Sequence, residues 1–306
     1  MLLNNVVNNQ LVSICVPTYN GAKFLQESLD SVNAQSYKNI EVIISDDNST
    51  DETLEICTKF KESTLFPVHI YNHQPQGIGA NWNHCIERAN GIYIKFLFQD
   101  DILYDTCIEE MMEIYKEYPE IGLVACKRDF IVDVNMKSEQ TEIWIEKYND
   151  LQIDYELFND SIYYLTHAVF GKRSFLDSHR NKIGEPSCVM FRKEITKSIG
   201  LFDVRLKQIL DYEYWYRILK NKPVIVINKP LVAFRIHENQ ATNVNSKAEI
   251  NDYNMYHKIL HKEYYHFLHD SLKESLDNEF SKSNELKKYV LKKYKSLKSK
   301  IKKWLR

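Results

Sequence analysis

The sequence predicts an α/β fold: a mostly parallel sheet flanked by helices, followed by a C-terminal helical extension. Three observations predict it. Short apolar runs alternate with segments of helical periodicity from Val12 to Phe98, the pattern of βαβ units. Polar clusters fall at the carboxyl ends of these runs, where open α/β sheets bind their ligands. From about residue 247 onward the strand pattern gives way to an almost entirely helical one.

The elements follow in order. Val12–Pro17 is a short apolar run stopped by a proline, a buried strand. Lys23–Gln35 spaces Phe24, Leu25, Leu29 and Val32 near 3.6 residues, a helix. Ile40–Ile44 is a second strand, and a helix from Asp51 to about Lys61 follows, capped by Ser49 or Thr50. Val68–Tyr71 is a third strand, Ala80–Ala89 a helix, and Tyr93–Phe98 a fourth strand running into Gln99-Asp100-Asp101. Residues 105–118 form a helix ended by Pro119, and Gly122–Ala125 is a strand. Residues 127–183 are less patterned; Ile143-Trp144-Ile145 suggests a strand. Ser187–Phe191 reads as a strand, Lys193–Ile199 as a helix stopped by Gly200, and Tyr212–Leu219 as a helix. Val224–Ile227 reads as a strand ended by Asn228-Lys229-Pro230. The division expected is a domain over residues 1–245 and an extension over 246–306.

Composition narrows the function. A 306-residue chain that is 44% hydrophobic can bury a sizeable core. Net charge is −2, but Lys282–Arg306 holds ten Lys, one Arg and only one acidic residue, a net of +10, so the preceding body carries −12. An acidic body argues against nucleic acid as a partner, because phosphate binding needs positive charge. Six scattered cysteines without a C-x-x-C read as reduced thiols in a reducing compartment. MLLNNVVNNQ lacks the charged and apolar regions of a secretory leader, and no run reaches the roughly 18–20 apolar residues of a membrane span. The expectation is a cytosolic protein.

Five constellations carry candidate chemistry, each with a plainer alternative. Asp100-Asp101 at a strand end either caps the next turn or holds a hard divalent cation that relieves the repulsion between the carboxylates. Asp46-Asp47 in Ser45–Asp51 sits where a carboxylate accepts hydrogen bonds from a base or ribose, while helix capping accounts for Ser49, Thr50 and Asp51. Pro17-Thr18-Tyr19-Asn20-Gly21 is a strand-to-helix loop, or one lying along a nucleotide with the tyrosine stacked on it. Asp211, at a helix start, is an N-cap or a general base. His237 in Phe234-Arg235-Ile236-His237 is a satisfied histidine or a ligand.

Their order makes them specific. The chain resembles the family 2 glycosyltransferases of the GT-A fold, through Pro17-Thr18-Tyr19-Asn20, Asp46-Asp47-Asn48-Ser49-Thr50-Asp51, Gly77-Ile78-Gly79-Ala80-Asn81, and Ala89 to Asp101. Asp211-Tyr212-Glu213-Tyr214-Trp215-Tyr216-Arg217 and Phe234-Arg235-Ile236-His237 complete the set. The resemblance covers about residues 11–240. It departs at Asn48, where the family has glycine, and at Phe98, where it has the leading aspartate of a D-x-D. Asn tolerates the left-handed backbone such a turn needs; Phe98 cannot bind metal.

The resemblance implies an inverting enzyme that moves a sugar from a nucleoside diphosphate, a UDP-sugar, to a saccharide hydroxyl in cell-surface polysaccharide (O-antigen or lipopolysaccharide) synthesis. By that carry-over Pro17, Thr18, Tyr19, Asn20, Asp46, Gly79 and Asn81 line the nucleoside, and Asp100 contacts ribose or sugar. Asp101 and His237 hold Mg²⁺ or Mn²⁺, and Asp211 is the base. The runner-up is a nucleotidyltransferase-like or non-catalytic nucleotide-binding protein, which the absence of a Gly-rich basic loop in residues 17–24 disfavours. In the tail, Val290, Tyr294, Leu297, Ile301 and Trp304 recur every three or four residues among lysines. That is a basic amphipathic helix, set either against the body or a second copy of the chain, or against the cytoplasmic face of the inner membrane. The membrane alternative suits a polyprenyl-diphosphate-linked acceptor.

Overall fold

The computed structural model describes residues 10–177, 179–240, 250–281 and 293. The first four strands and three helices alternate: β1 (Val12–Thr18), α1 (Ala22–Asn33), β2 (Ile40–Asp46), α2 (Thr53–Ser63), β3 (Val68–Asn72), α3 (Ile78–Arg88) and β4 (Tyr93–Phe96). Every residue of β1, β2 and β4 is buried. Helices cover both faces of a parallel sheet, so its strands are buried throughout and mostly apolar rather than alternating, with Ser13, Glu41 and Lys95 as buried polar exceptions. β5 (Ile102–Leu103), α4 (Cys107–Glu117), β6 (Leu123–Val132), α5 (Glu139–Tyr148), β7 (Ile162–Leu165) and β8 (Val189–Arg192) follow. The domain then continues through α6 (Thr196–Ile199), α7 (Leu210–Asn221) and β9 (Val224–Ile236).

The strands form one sheet in the order β3-β2-β1-β4-β8-β6-β9-β5, with β7 also on β9. β1 to β4 pair in parallel, as the βαβ spacing predicts. β8 enters antiparallel between β4 and β6, while β6 and β9 run parallel. In the register, Thr18 pairs with Asp46 and Asp46 with Asn72, so the polar ends of β1, β2 and β3 lie level along one sheet rim. All six cysteines are buried free thiols.

Three local expectations fail for identifiable reasons. Ile143-Trp144-Ile145 lies within helix α5, because Ser138 caps it, its side chain accepting from the Thr141 amide. Three apolar residues are too few for periodicity to separate strand from helix. The strand at Val224 does not end at Pro230 but runs to Ile236, because the proline pairs with Lys127 between two register shifts. Helix α2 starts at Thr53; Asp51 rather than Ser49 or Thr50 serves its first turn, accepting from the Thr53 amide (3.1 Å).

The chain divides into a main unit, residues 1–167 and 177–252, and a smaller one, 168–176 and 253–306. α8 (Asp252–Ile259) starts on the last residue of the main unit; in the smaller unit it leads into a π-turn (Leu260–Tyr264), and α9 (Asp270–Phe280) follows. There Phe170 packs edge-on against Phe175 (5.2 Å) and Tyr264 (5.1 Å). The basic stripe from Val290 to Trp304 lies outside the described residues. Among the described residues no helix is long and apolar enough to cross a membrane.

Candidate active site

At the level rim of β1 to β3 the loops are laced together. The Thr18 hydroxyl donates to Asp46 Oδ1 (2.8 Å), which also accepts from the Ser49 hydroxyl (2.6 Å); Asp46 Oδ2 takes the Ser49 amide (2.7 Å). Asp46 is therefore fully buried and internally satisfied. Asn20 and Asn48 adopt positive φ (46° and 63°), the left-handed turn conformation that asparagine tolerates. Asn20 receives the Thr50 amide on its side chain (2.9 Å) and gives its own amide to Ser49 Oγ (2.8 Å). Gln99 clamps Tyr19 in both directions, accepting from its amide (2.9 Å) and donating to its carbonyl (3.1 Å). The Tyr19 ring is left 55% exposed over this rim.

Asn81 closes the rim from α3, donating to the Thr18 carbonyl (3.2 Å) and facing His73 Nε2 (3.3 Å). Gly79 is a packing position: a Cβ there would stand 3.2 Å from Leu210 and 3.3 Å from the Val204 backbone. Next to Asp46, Asp47 is buried with Oδ1 lacking a hydrogen-bond donor, although His73 Nδ1 lies 3.5 Å away. Burial raises the Asp47 pKa, and His73 pulls it back.

The two neighbouring aspartates part company. Asp100 turns toward β9, its Oδ2 2.8 Å from His237 Nε2. Asp101 turns inward and is 1% exposed. Its Oδ2 accepts from the Ser187 hydroxyl (2.5 Å) and its Oδ1 from the Arg235 amide (3.0 Å). Burial, and then the Asp100 charge beside it, push its carboxyl well above the usual range. Arg235 ties the turn to β9, its Nε donating to the Asp100 carbonyl (2.9 Å) and its Nη2 to Glu27 (2.5 Å). Its guanidinium lies over Phe24 (4.5 Å), which packs on His237 (5.0 Å). Below, the buried Lys95 ammonium donates to the carbonyls of Phe96 and Ser187, so the lining beneath Asp101 is itself polar and satisfied.

Phe98 does not face this pair. It packs on Trp82 (5.0 Å). Among the described residues no three His, Cys, Asp or Glu side chains gather around one point. Asp100 and His237 nevertheless form a donor pair, one carboxylate oxygen and one imidazole nitrogen, a set that Mn²⁺ accepts and that leaves further positions for phosphate oxygens and water.

Asp211 lies in the first turn of α7, with Ile209 rather than Asp211 at the cap position. Asp252 Oδ2 accepts from the amides of Lys207 (2.8 Å) and Gln208 (2.6 Å), fixing the loop that leads in. Asn181 Nδ2 donates both to Asp211 Oδ2 (3.0 Å) and to the Gly184 carbonyl (2.9 Å), which also takes Trp215 Nε1 (3.1 Å). Asp211 Oδ1 is shielded from water and has no partner. Burial raises its pKa to about 7, with Glu185 adding to the rise. A carboxylate poised there, with one oxygen unengaged, suits a general base.

The structure thus brings Thr18, Tyr19, Asn20, Asp46 and Asn81 to one rim, with Pro17 buried just beneath. It joins Asp100 to His237 and separates Asp101 from them as a buried support. Residues not singled out beforehand are Gln99 and Asn181, each an uncharged side chain holding a loop of the site. Nothing in their identity marks them; partners 80 and 30 residues away define them. Ser187, read from the sequence as part of an acceptor-side loop over Gly184–Ser187, instead donates to the buried Asp101.

A level rim of polar loops, an acidic turn with a histidine and a buried carboxylate at a helix start make up the candidate site, and known proteins give its class. The model of Glycosyl transferase family 2 matches residues 13–200, and the chain belongs to that family, with its GT-A fold. An uncharacterized glycosyltransferase of Rickettsia typhi is 30% identical over 233 residues, 76% of this chain and 66% of the relative. The chain therefore spans about two thirds of that relative's length. The Escherichia coli enzyme WfaP, a UDP-Glc:α-D-GlcNAc-diphosphoundecaprenol β-1,3-glucosyltransferase, is 35% identical over 126 residues, 40% of this chain and 49% of WfaP. Residues 1–349 of Staphylococcus aureus TarS, solved with UDP-GlcNAc, superpose with a TM-score of 0.63 at 21% identity, covering 89% of this chain and 74% of that one. At that identity the likeness is one of fold.

Proposed function

We propose that the chain transfers a sugar from a UDP-sugar to a hydroxyl of a saccharide acceptor with inversion. The observation that carries the reading is Asp211, a carboxyl held near pH 7 with one shielded, unengaged oxygen. In a single displacement, the Asp211 carboxylate takes the acceptor proton as the acceptor oxygen bonds to the anomeric carbon. The bond to the diphosphate breaks, and the diphosphate leaves with the electron pair. One base suffices and no covalent intermediate forms.

The rim supports a nucleoside site. Tyr19 offers an exposed ring for stacking, and the buried Oδ1 of Asp47 offers an acceptor to a base carrying an N–H. Pro17, Thr18, Asn20, Asp46, Gly79 and Asn81 shape this site. Asp100 and His237 would hold Mg²⁺ or Mn²⁺ beside the diphosphate, where a divalent cation stabilises the charge on the leaving group. Asp101 supports that turn from below. A lipid-linked acceptor is favoured by WfaP, whose name specifies a diphosphoundecaprenol substrate. The ten lysines of the tail suit an anionic cytoplasmic membrane surface, where such an acceptor resides.

The test is a panel of nucleotide sugars with Mn²⁺ and sugar diphospholipid acceptors, read by mass spectrometry. Transfer or donor hydrolysis that Asp211→Asn abolishes supports the reading. Absence of both binding and turnover across the UDP-sugars overturns it.

A further inference from the structure

One cavity lies apart from the donor rim. It holds about 210 Å³ between α5 and the end of β9, lined by Met136, Gln140, Trp144, Phe234, Ile236 and Gln240. Strand alternation explains its position. Arg235 and His237 face Glu27, Phe24 and Asp100, so Phe234 and Ile236 face the other way, toward α5. The cavity is therefore back to back with the Asp100–His237 pair across one strand.

Two chains of contact join it to the reacting groups. Gln240 accepts from the His237 amide (3.3 Å) and donates to the Arg235 carbonyl (2.6 Å), so the cavity's polar edge is built on the strand end that carries His237. On the other side Trp144 meets Phe130 edge-on (5.9 Å) and Phe130 lies under the Arg128 guanidinium (5.0 Å). Arg128 pairs with Glu185 (2.7 Å), the carboxylate whose charge raises Asp211. Packed side chains thus link the cavity to both groups, from the strand face opposite the Asp100–His237 pair.

The lining limits the occupant. Trp144 keeps 37% of its surface in solvent although Phe130 and Tyr148 (5.0 Å) brace it. Two amide side chains, Gln140 and Gln240, stand at the same opening. An indole face with amides beside it suits a ring that has C–H groups on its faces and hydroxyls at its edge. The volume of about 210 Å³ falls below the roughly 300–1,000 Å³ of pockets for drug-sized ligands and gives room for one ring. We propose that this cavity is an acceptor subsite in which one pyranose ring lies against Trp144. The assignment rests on the sugar-transfer reading for its role, but saccharide binding there is measurable without turnover.

The test uses the full chain on a Trp304→Phe background. Trp82 and Trp215 are buried, at 4% and 0% exposure, so acrylamide quenching then reports Trp144. The probes are the methyl pyranosides of glucose, galactose, mannose, rhamnose, N-acetylglucosamine and N-acetylgalactosamine, with decyl phosphate as the sugar-free lipid. The expected result is that at least one pyranoside shields Trp144 and that Trp144→Ala weakens its binding about tenfold, the size of an aromatic anchor's loss. Trp144→Phe retains most of the binding, and UDP-sugar hydrolysis is unchanged in both variants. No shielding by any pyranoside, shielding by decyl phosphate instead, or binding indifferent to Trp144→Ala overturns the proposal. Pyranoside binding that depends on Trp144 in a protein that never hydrolyses a UDP-sugar upholds the subsite and removes the transfer reading.

Discussion

His237 Nε2 stands 2.8 Å from Asp100 Oδ2, bridging 137 residues of sequence, while Asp101, next in the chain, makes no contribution to that face. Asp100→Ala and His237→Ala are each expected to lower transfer about a hundredfold and to raise the Mn²⁺ concentration for half-activation, the scale of losing a group that holds or orients a metal ligand. Calorimetric titration of Mn²⁺ in the presence of UDP checks this. Unchanged cation affinity in both variants would remove the pair from the metal site.

Asp101 should behave as a structural group. Asp101→Ala strands the Ser187 hydroxyl and the Arg235 amide in a buried place, at an expected cost of about 2–3 kcal/mol. Asp101→Asn is expected to cost less, because its carbonyl can keep the Arg235 amide while the Ser187 hydroxyl rotates to accept from the new NH₂. Urea unfolding of the two variants gives the comparison. Equal losses would mean that Asp101 acts through its charge.

Asp211 sets a pH dependence in two observables. Its folded pKa of about 7 lies above the ordinary 3.8, so between those values the folded state holds a proton the unfolded state has released. Stability due to this group therefore falls as pH rises through that window and is fully present below it. Transfer needs the ionised form and should decline below about pH 7. Asp211→Asn should abolish transfer yet leave the protein more stable than wild type at pH 8, with little difference at pH 4. Thermal melts at both values decide the matter.

Gly79→Ala tests the packing of α3 on the loop before α7. The new methyl meets the Val204 backbone at 3.3 Å and the flexible end of Leu210 at 3.2 Å. The expected cost is about 1–3 kcal/mol, with a fall in kcat larger than any change in donor KM, since Leu210, which the methyl meets, directly precedes Asp211 in α7. A variant with wild-type kcat would show that the loop absorbs the methyl freely.

Much of this was readable in advance where a strand is buried on both faces. Val12–Pro17, Ile40–Ile44 and Tyr93–Phe96 are mostly apolar runs, each with one polar residue, whose ends announce the rim. The helix at Glu139 was not readable, because its start depends on the Ser138 cap while Ile143-Trp144-Ile145 suits either period. The division of labour between Asp100 and Asp101 was also hidden. Adjacent carboxylates in a turn are chemically alike, and only Ser187 and Arg235, 86 and 134 residues onward, make one of them internal. Asp211 was visible as a helix-start carboxylate, but its raised pKa comes from burial and from Glu185, neither of which is local in sequence.

Arg235 gives the molecule an order of assembly. The acidic turn is supplied early in the chain, but the amide and guanidinium that hold it arrive with β9, the last strand of the sheet. Closing so long a loop is entropically slow, and such non-local pairings set the pace of folding. A nascent chain that has emerged only as far as residue 200, the end of the family match, already contains every strand around the polar rim but not the holder of Asp100. The turn that carries Asp100 is therefore fixed late in synthesis, when the last described strand docks.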